Sequence, residues 1–280
     1  MDHRFATSHP LTVDLQVPAG TISVRVHEAS VATVHLEGSR ADGVEVTFDE
    51  RPSGDRLSVA YRGKKWFTMF SSGRDLEVAI AVPPGTRLDV STGAADLEVT
   101  GTVTALSYRS GSGDLRFDDV TEDVVAKTAS GDVNGEEIAG SLRFHGASGD
   151  LSVGRVGERS TCRSASGDLS IGRIEGDSNL ATASGDVTVT VVAAGTTTIR
   201  TVSGDVEAGI IEGADVYLDL SSTSGDVTCD LAPSSGPGAD DVRLVLDATS
   251  VSGDVRVRKV AGLRGATEPA RLAVGSVDGA

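Results

Sequence analysis

A tripeptide, Ser-Gly-Asp, recurs along most of this sequence at a nearly constant interval, and this repeat constrains the fold more than any other feature. A degenerate form, Ala94-Ala95-Asp96, comes first, and the following aspartates are 18, 18, 18, 18, 18, 19, 21 and 28 residues apart. Equal intervals in succession are not expected from composition, so they indicate a structural repeat of 18 residues. The repeated aspartates are Asp114, Asp132, Asp150, Asp168, Asp186, Asp205, Asp226 and Asp254.

Apolar residues keep fixed distances from each of these aspartates, at offsets −8, −6, −3, +1, +3 and +6. Each half of the repeat therefore contains an alternation typical of a short strand with one buried face, followed by a step that turns the chain at a corner. A helical repeat is disfavoured because Gly recurs at every corner. Around Asp150 the apolar residues are Leu142, Phe144, Ala147, Leu151, Val153 and Val156.

A unit of this length cannot bury its apolar face alone. Stacking such units about 4.8 Å apart lets each strand pair with its equivalents above and below. The sequence therefore predicts an all-β fold, a single-stranded parallel β-solenoid of 18-residue coils over residues 88–260. We interpret the longer intervals as corner bulges. At each corner, Gly is expected to adopt a positive φ, and Ser and Asp to bond amides of the same turn.

The N-terminal region differs from the repeat. Residues 10–85 contain longer alternating segments, such as Leu11–Val17, which ends at Pro18-Ala19-Gly20, and they predict antiparallel strands. Because a solenoid needs its end covered, we expect residues 1–87 to form an antiparallel β cap. Residues 261–280 lose the pattern and are predicted to be a disordered tail.

The charge of the chain excludes several partners. The net charge is −16, of which residues 81–280 contribute −14 (16 basic and 30 acidic side chains). A field of this sign repels nucleic-acid phosphates and anionic lipids, so no nucleic-acid partner is expected. No apolar run is long enough to span a membrane, and no secretory signal is recognisable. The sequence thus predicts a cytoplasmic protein.

No catalytic residue, cofactor site or metal site is predicted. The five histidines form no constellation, with His27 and His35 expected to face solvent and His145 standing alone. Cys162 and Cys229 both fall on inward positions and are predicted to be inert core residues. The aspartates suggest a calcium-binding β-roll as an alternative, yet calcium takes about 6–8 oxygen ligands and each coil supplies a single Asp.

One segment between two predicted N-terminal strands, residues 62–74, combines basic and large apolar side chains. It is a candidate partner contact, and peripheral contact with a membrane is a further alternative. The segment could instead fold back to plug the open end of the cap. The candidate contact residues are Lys64, Lys65, Trp66, Phe67, Met69 and Phe70.

The opening strand that ends in Val17-Pro18-Ala19-Gly20, followed by runs of Ala-Ser-Gly-Asp-Val/Leu, resembles a bacterial family. This is the toastrack family of β-strand-repeat domains of unknown function, also labelled "putative adhesin". The resemblance covers residues 10–260 and implies architecture more than activity. The resemblance implies no catalytic residues. It also implies a role like that of the members that accompany envelope-stress signalling systems as sensor or scaffold modules.

These observations favour a non-enzymatic scaffold or interaction module that presents a flat, ladder-like surface to a protein partner. Two alternatives stay open at this point: an adhesin-like or glycan-binding β-solenoid, and the calcium-binding β-roll.

Overall fold

The computed structural model describes residues 1–63, 76–211, 214–231 and 243–260. This part of the chain is almost entirely β, with one 3₁₀ turn at Ala41–Gly43. The strands are β1 Asp2–Ala6, β2 Leu11–Val26, β3 Val31–Glu37, β4 Val44–Asp49, β5 Asp55–Tyr61, β6 Glu77–Val82, β7 Arg87–Val103, β8 Ala105–Ser110, β9 Leu115–Val120, β10 Val124–Thr128, β11 Val133–Ile138, β12 Leu142–His145, β13 Leu151–Val156, β14 Ser160–Arg163, β15 Leu169–Ile174, β16 Ser178–Ala181, β17 Val187–Val192, β18 Thr196–Thr201, β19 Val206–Ile211, β20 Asp215–Ser222, β21 Val227–Cys229, β22 Arg243–Ser250 and β23 Val255–Val260.

The central part is the predicted parallel solenoid. Each coil contributes one strand to a first sheet (β8, β10, β12, β14, β16, β18) and one to a second sheet (β9, β11, β13, β15, β17, β19). The register advances by one coil: Val124 pairs with Leu142, and Leu142 with Ser160. The predicted all-β solenoid is confirmed.

The N-terminal region combines parallel and antiparallel pairing. As predicted, β1 and β3, β3 and β6, and β4 and β5 pair antiparallel. Strand β2, expected among the antiparallel strands, instead pairs in parallel with β5 and β6 on one edge and with β7 on the other. Strand β2 is long enough to supply both halves of a coil, so the parallel stack already includes residues 11–26.

The C-terminal coils stack out of chain order. Strands β22 and β23 pair with β18 and β19, and the earlier strands β20 and β21 then pair with β22 and β23. Residues 243–260 are thus inserted between two coils that are consecutive in sequence. The 28-residue interval was interpreted as a corner bulge, and this was wrong for that interval: it spans a reordered coil.

The interior is a column of ladders made by equivalent side chains, with almost every inward position fully buried. Large side chains are compensated by small neighbours. Gly135 pairs with Phe117, and a Cβ on Gly135 would lie 2.1 Å from the Phe117 ring, so the ring occupies the space that the glycine leaves. This matching maintains the close packing that protein interiors require.

The Gly of most Ser-Gly-Asp corners is buried against the neighbouring corner, whereas Gly225 and Gly253 are partly exposed. We expected a positive φ there, but the positive-φ glycines among the described residues lie elsewhere. The actual requirement is space, because a Cβ on Gly149 would lie 2.0 Å from the carbonyl oxygen of Gly131, and one on Gly167 equally close to that of Gly149. No real Cβ approaches a backbone oxygen so closely, so only Gly permits the stacking distance.

A column of buried and partly buried hydroxyls stabilises the same corners, and it was not predicted from the sequence. The −3 position assigned as inward is exposed, as at Ala147, whereas the −4 position points inward. The Thr182 hydroxyl accepts from the Gly185 N–H at 3.1 Å and lies 3.2 Å from the Gly167 carbonyl oxygen, to which it donates. The recurrence of Ser or Thr at this offset was the available signal; the column comprises Ser110, Thr128, Ser164, Thr182, Thr201, Ser222 and Ser250.

The Thr182→Val variant tests this column. Valine keeps the shape but leaves the buried Gly185 N–H without its acceptor, so we expect the free energy of unfolding to fall by about 2 kcal/mol. Urea unfolding followed by far-UV circular dichroism measures the change. Thr198→Val is the matched control, because Thr198 faces outward with no side-chain hydrogen bond within the described residues. Equal midpoints for the two variants would contradict the role given to the hydroxyl.

Candidate interaction surface

The predicted corner aspartates form a continuous file along the solenoid. Each Asp backbone N–H donates to Oδ1 of the Asp one coil before, at 3.0 Å for Asp150 to Asp132 and 2.8 Å for Asp168 to Asp150. The bonds run between turns, whereas we had expected them within one turn. The file continues in spatial order, from Asp205 to Asp254 and then to Asp226. These carboxylates therefore connect successive coils by hydrogen bonds.

The outer face of the first sheet is the surface that stands out electrostatically. Its central coils present five basic or ionisable side chains, which we call the basic strip: Arg109, Lys127, Arg143, His145 and Arg163. Parallel pairing places Lys127 beside Arg109 and His145, and His145 beside Arg163. Neighbouring members are therefore about 4.8 Å apart along the solenoid axis at the backbone.

Most cations on other outer surfaces have carboxylate partners, but the centre of the basic strip does not. On the second sheet, Arg155 binds both Glu137 and Glu175, and its hydrogen bond to Glu175 is the main cause that lowers the pKa of the Glu175 carboxyl. Within the described part of the chain, Lys127, Arg143 and Arg163 make no ion pair. These charges are available to a ligand.

Carboxylates limit the basic strip at both ends. Arg109 is held by Asp89 at 3.2 Å, and beyond Asn179 and Ala181 the next cation, Arg200, lies 3.4 Å from Asp247. Between these pairs His145 is surrounded by cations. Partial burial lowers the pKa of its imidazole, and the charges of Lys127, Arg163 and Arg143 lower that pKa further. The sequence suggested that His145 stands alone, whereas the structure places it among cations.

Comparison with known proteins gives the family. The model of the family described as Toastrack DUF4097 matches residues 13–258. The chain belongs to the toastrack family. No curated protein matches it.

Solved structures similar to this toastrack chain include two described as putative adhesins, from Bacteroides fragilis and Parabacteroides distasonis. Each is 10% identical to this chain in sequence, and the match covers 93% of this chain and 96% of the other protein. The TM-scores are 0.43 for the Bacteroides fragilis protein and 0.41 for the Parabacteroides distasonis protein. A third, described as a putative cell adhesion protein from Clostridium sporogenes, is 9% identical. The match covers 93% of this chain and 99% of that protein, with a TM-score of 0.26.

Among the described residues, the outermost coil of the toastrack solenoid consists of β20 and β21. Strand β20 pairs only with β22 and β21 only with β23, so one edge of each is unpaired within the described residues. Tyr217 is 57% and Val227 44% exposed. Cys229, predicted to be buried, is exposed because the insertion of residues 243–260 leaves its coil outermost.

The other candidate residues of this toastrack chain have simpler environments. Cys162 is buried as predicted, and burial raises the pKa of its thiol to about 12, which keeps it protonated and unreactive. His35 is exposed and lies 2.5 Å from Asp2, whose hydrogen bond raises the pKa of the imidazole. His27 is half-buried, and its Nδ1 accepts from the Ala29 N–H, whereas we expected a solvent-facing side chain.

A groove of about 610 Å³ lies beside the toastrack chain's basic strip and is lined by both signs of charge, including Asp123, Arg143, Glu158 and Arg159. Among the described residues, no cluster of three or more His, Cys, Asp or Glu side chains could hold a metal ion. The same residues contain no helix that could cross a membrane.

Two predictions fall outside the described residues. The candidate contact residues lie outside the described residues, so the partner contact stays a prediction for Lys64, Lys65, Trp66, Phe67, Met69 and Phe70. The tail at residues 261–280 likewise stays a prediction.

Proposed function

We propose that this chain is a non-enzymatic interaction module, a rigid scaffold that presents the outer face of its first sheet to a protein partner. The observation that carries the proposal is the centre of the basic strip, where Lys127, Arg143 and Arg163 make no ion pair with any described residue although the net charge of the chain is −16. Unpaired like charges weaken a fold slightly. A protein partner that supplies carboxylates would neutralise these cations, so the strip is suited to binding an acidic surface.

The scaffold beneath the strip supports the proposal. Strands β10, β12 and β14 are hydrogen-bonded on both edges, and their inward residues, such as Ala126, Phe144 and Cys162, are fully buried. The outward side chains therefore project from a backbone that moves little. Such preorganisation reduces the entropy lost on binding, which is what an interaction surface requires.

We also propose a pathway and a compartment for this interaction. A place in envelope-stress or other regulatory signalling, in the cytoplasm, agrees with the family resemblance and with the composition. The adhesin-like or glycan-binding solenoid and the calcium-binding roll remain alternatives. No feature of the described residues favours either over the scaffold.

Site-specific photo-crosslinking in the source organism tests the proposed function. Benzoylphenylalanine at Thr161, on the outer face of the first sheet, is expected to capture one defined protein. The matched position is Ser152, which faces outward on the second sheet and should not capture it. Capture of no protein from Thr161, or of the same mixture from both positions, would overturn the proposal.

A further inference from the structure

The basic strip has the geometry of a ligand site for several carboxylates. Arg109, Lys127, His145 and Arg163 occupy the same position of four successive coils, and Arg143 lies two residues before His145 on the same strand. From the first coil to the fourth the strip is about 14 Å long at the solenoid repeat. An extended peptide of about five residues has this length.

We propose that the basic strip binds a short acidic segment, about five residues rich in Asp and Glu, of a protein partner. This inference rests on the proposed function and adds the chemistry of the partner. The acidic side chains of the segment contact Lys127, Arg143 and Arg163, the three strip cations with no ion pair among the described residues.

The carboxylates beyond the two ends of the strip favour a short segment over a long polyanion or a membrane. Asp89 lies at one end, and Asp219 and Asp247 lie on the same face beyond the other end. A nucleic acid following the face, or a flat anionic membrane, would bring its phosphates against these carboxylates as well. A segment of about five residues ends before it reaches them.

The mutual repulsion within the strip separates a binding role from a structural one. Cations at neighbouring positions repel each other in the free protein, and the lowered pKa of the His145 imidazole has these charges among its causes. If the cations served stability, their removal would lower the thermal midpoint. If they serve binding, their removal leaves the midpoint unchanged or raises it slightly.

The test uses fluorescein-labelled hexaglutamate and the full-length chain in 50 mM salt, with binding followed by fluorescence anisotropy. The Lys127→Glu/Arg163→Glu variant is expected to weaken hexaglutamate binding at least tenfold. The control is Arg116→Glu with Arg25→Glu, which makes the same change in net charge on two cations outside the first-sheet face. It should weaken binding less than threefold, the effect of overall charge alone.

The outcomes of the hexaglutamate experiment separate the acidic-segment proposal from its alternatives. No measurable hexaglutamate binding, or equal losses in the two variants, would overturn the acidic-segment proposal. Tighter binding of a thymidine hexanucleotide or of phosphatidylglycerol vesicles than of hexaglutamate would also overturn it. If the charge-reversed chain unfolds, Lys127→Gln/Arg163→Gln repeats the measurement. A specific protein crosslink at Thr161 without hexaglutamate binding would leave the interaction module standing and remove only this inference.

Discussion

Replacement of Gly149 by alanine is expected to lower the free energy of unfolding by about 3 kcal/mol, a large loss for a single methyl group. The added Cβ would lie 2.0 Å from the Gly131 carbonyl oxygen, which is backbone on both sides and cannot rotate away. The two coils must separate locally, so the hydrogen bond between the aspartates of these corners lengthens as well. Urea unfolding monitored by circular dichroism measures the loss.

Ser148→Ala is the control for this prediction. Ser148 precedes Gly149 in the same corner, is exposed, and forms no side-chain hydrogen bond within the described residues. We expect its removal to change the free energy of unfolding by less than about 0.5 kcal/mol. If Gly149→Ala unfolds at the same urea concentration as Ser148→Ala, the close stacking of the corner glycines is wrong.

The second large effect is an all-or-none difference in disulfide formation that reports the order of the C-terminal coils. Arg200 pairs with Thr249 on the first sheet, so cysteines at these two positions are expected to oxidise almost completely. Cysteines at Arg200 and Ser221 should stay reduced, because an inserted strand separates them by about 9.6 Å. Non-reducing electrophoresis of the oxidised proteins distinguishes the two results.

Two further variants make the disulfide experiment interpretable. All pairs are introduced with Cys229→Ser, since that native thiol is exposed and would compete, whereas Cys162 is buried. Ser221→Cys with Thr249→Cys is the positive control, because these positions are neighbours whether or not the coils follow chain order. A bond between positions 200 and 221 but not between 200 and 249 would show that the coils stack in chain order.

The candidate surface was only partly visible in the sequence. The corner aspartates were identified correctly as a file, because a fixed 18-residue spacing makes residues such as Asp132 and Asp150 equivalent. The cations of the strip follow the same spacing, yet Lys127 and Arg163 resemble ordinary solvated charges until their neighbours are known. Whether a cation has a carboxylate partner depends on adjacent coils and on side-chain direction.

Some local assignments failed for a related reason. Ala147 was assigned to the core because it is apolar, whereas the neighbouring inward position is filled elsewhere by hydroxyls such as that of Thr182. A buried hydroxyl that satisfies two backbone groups is as acceptable in the core as a methyl group. Hydropathy cannot distinguish these cases, although the recurrence of Ser and Thr at one offset could have.

The sequence by itself determined the period of the solenoid, the buried face of its central strands and the alignment of the aspartates. These features follow from covalent spacing and from the need to bury apolar side chains. Only the tertiary structure decided that β2 joins the parallel stack, that residues 243–260 insert before the coil of Cys229, and that the central cations of the basic strip make no ion pair with the described residues. The physical reason is that every coil offers the same hydrogen-bonding edge, so the repeat specifies how coils pair without specifying which coils become neighbours.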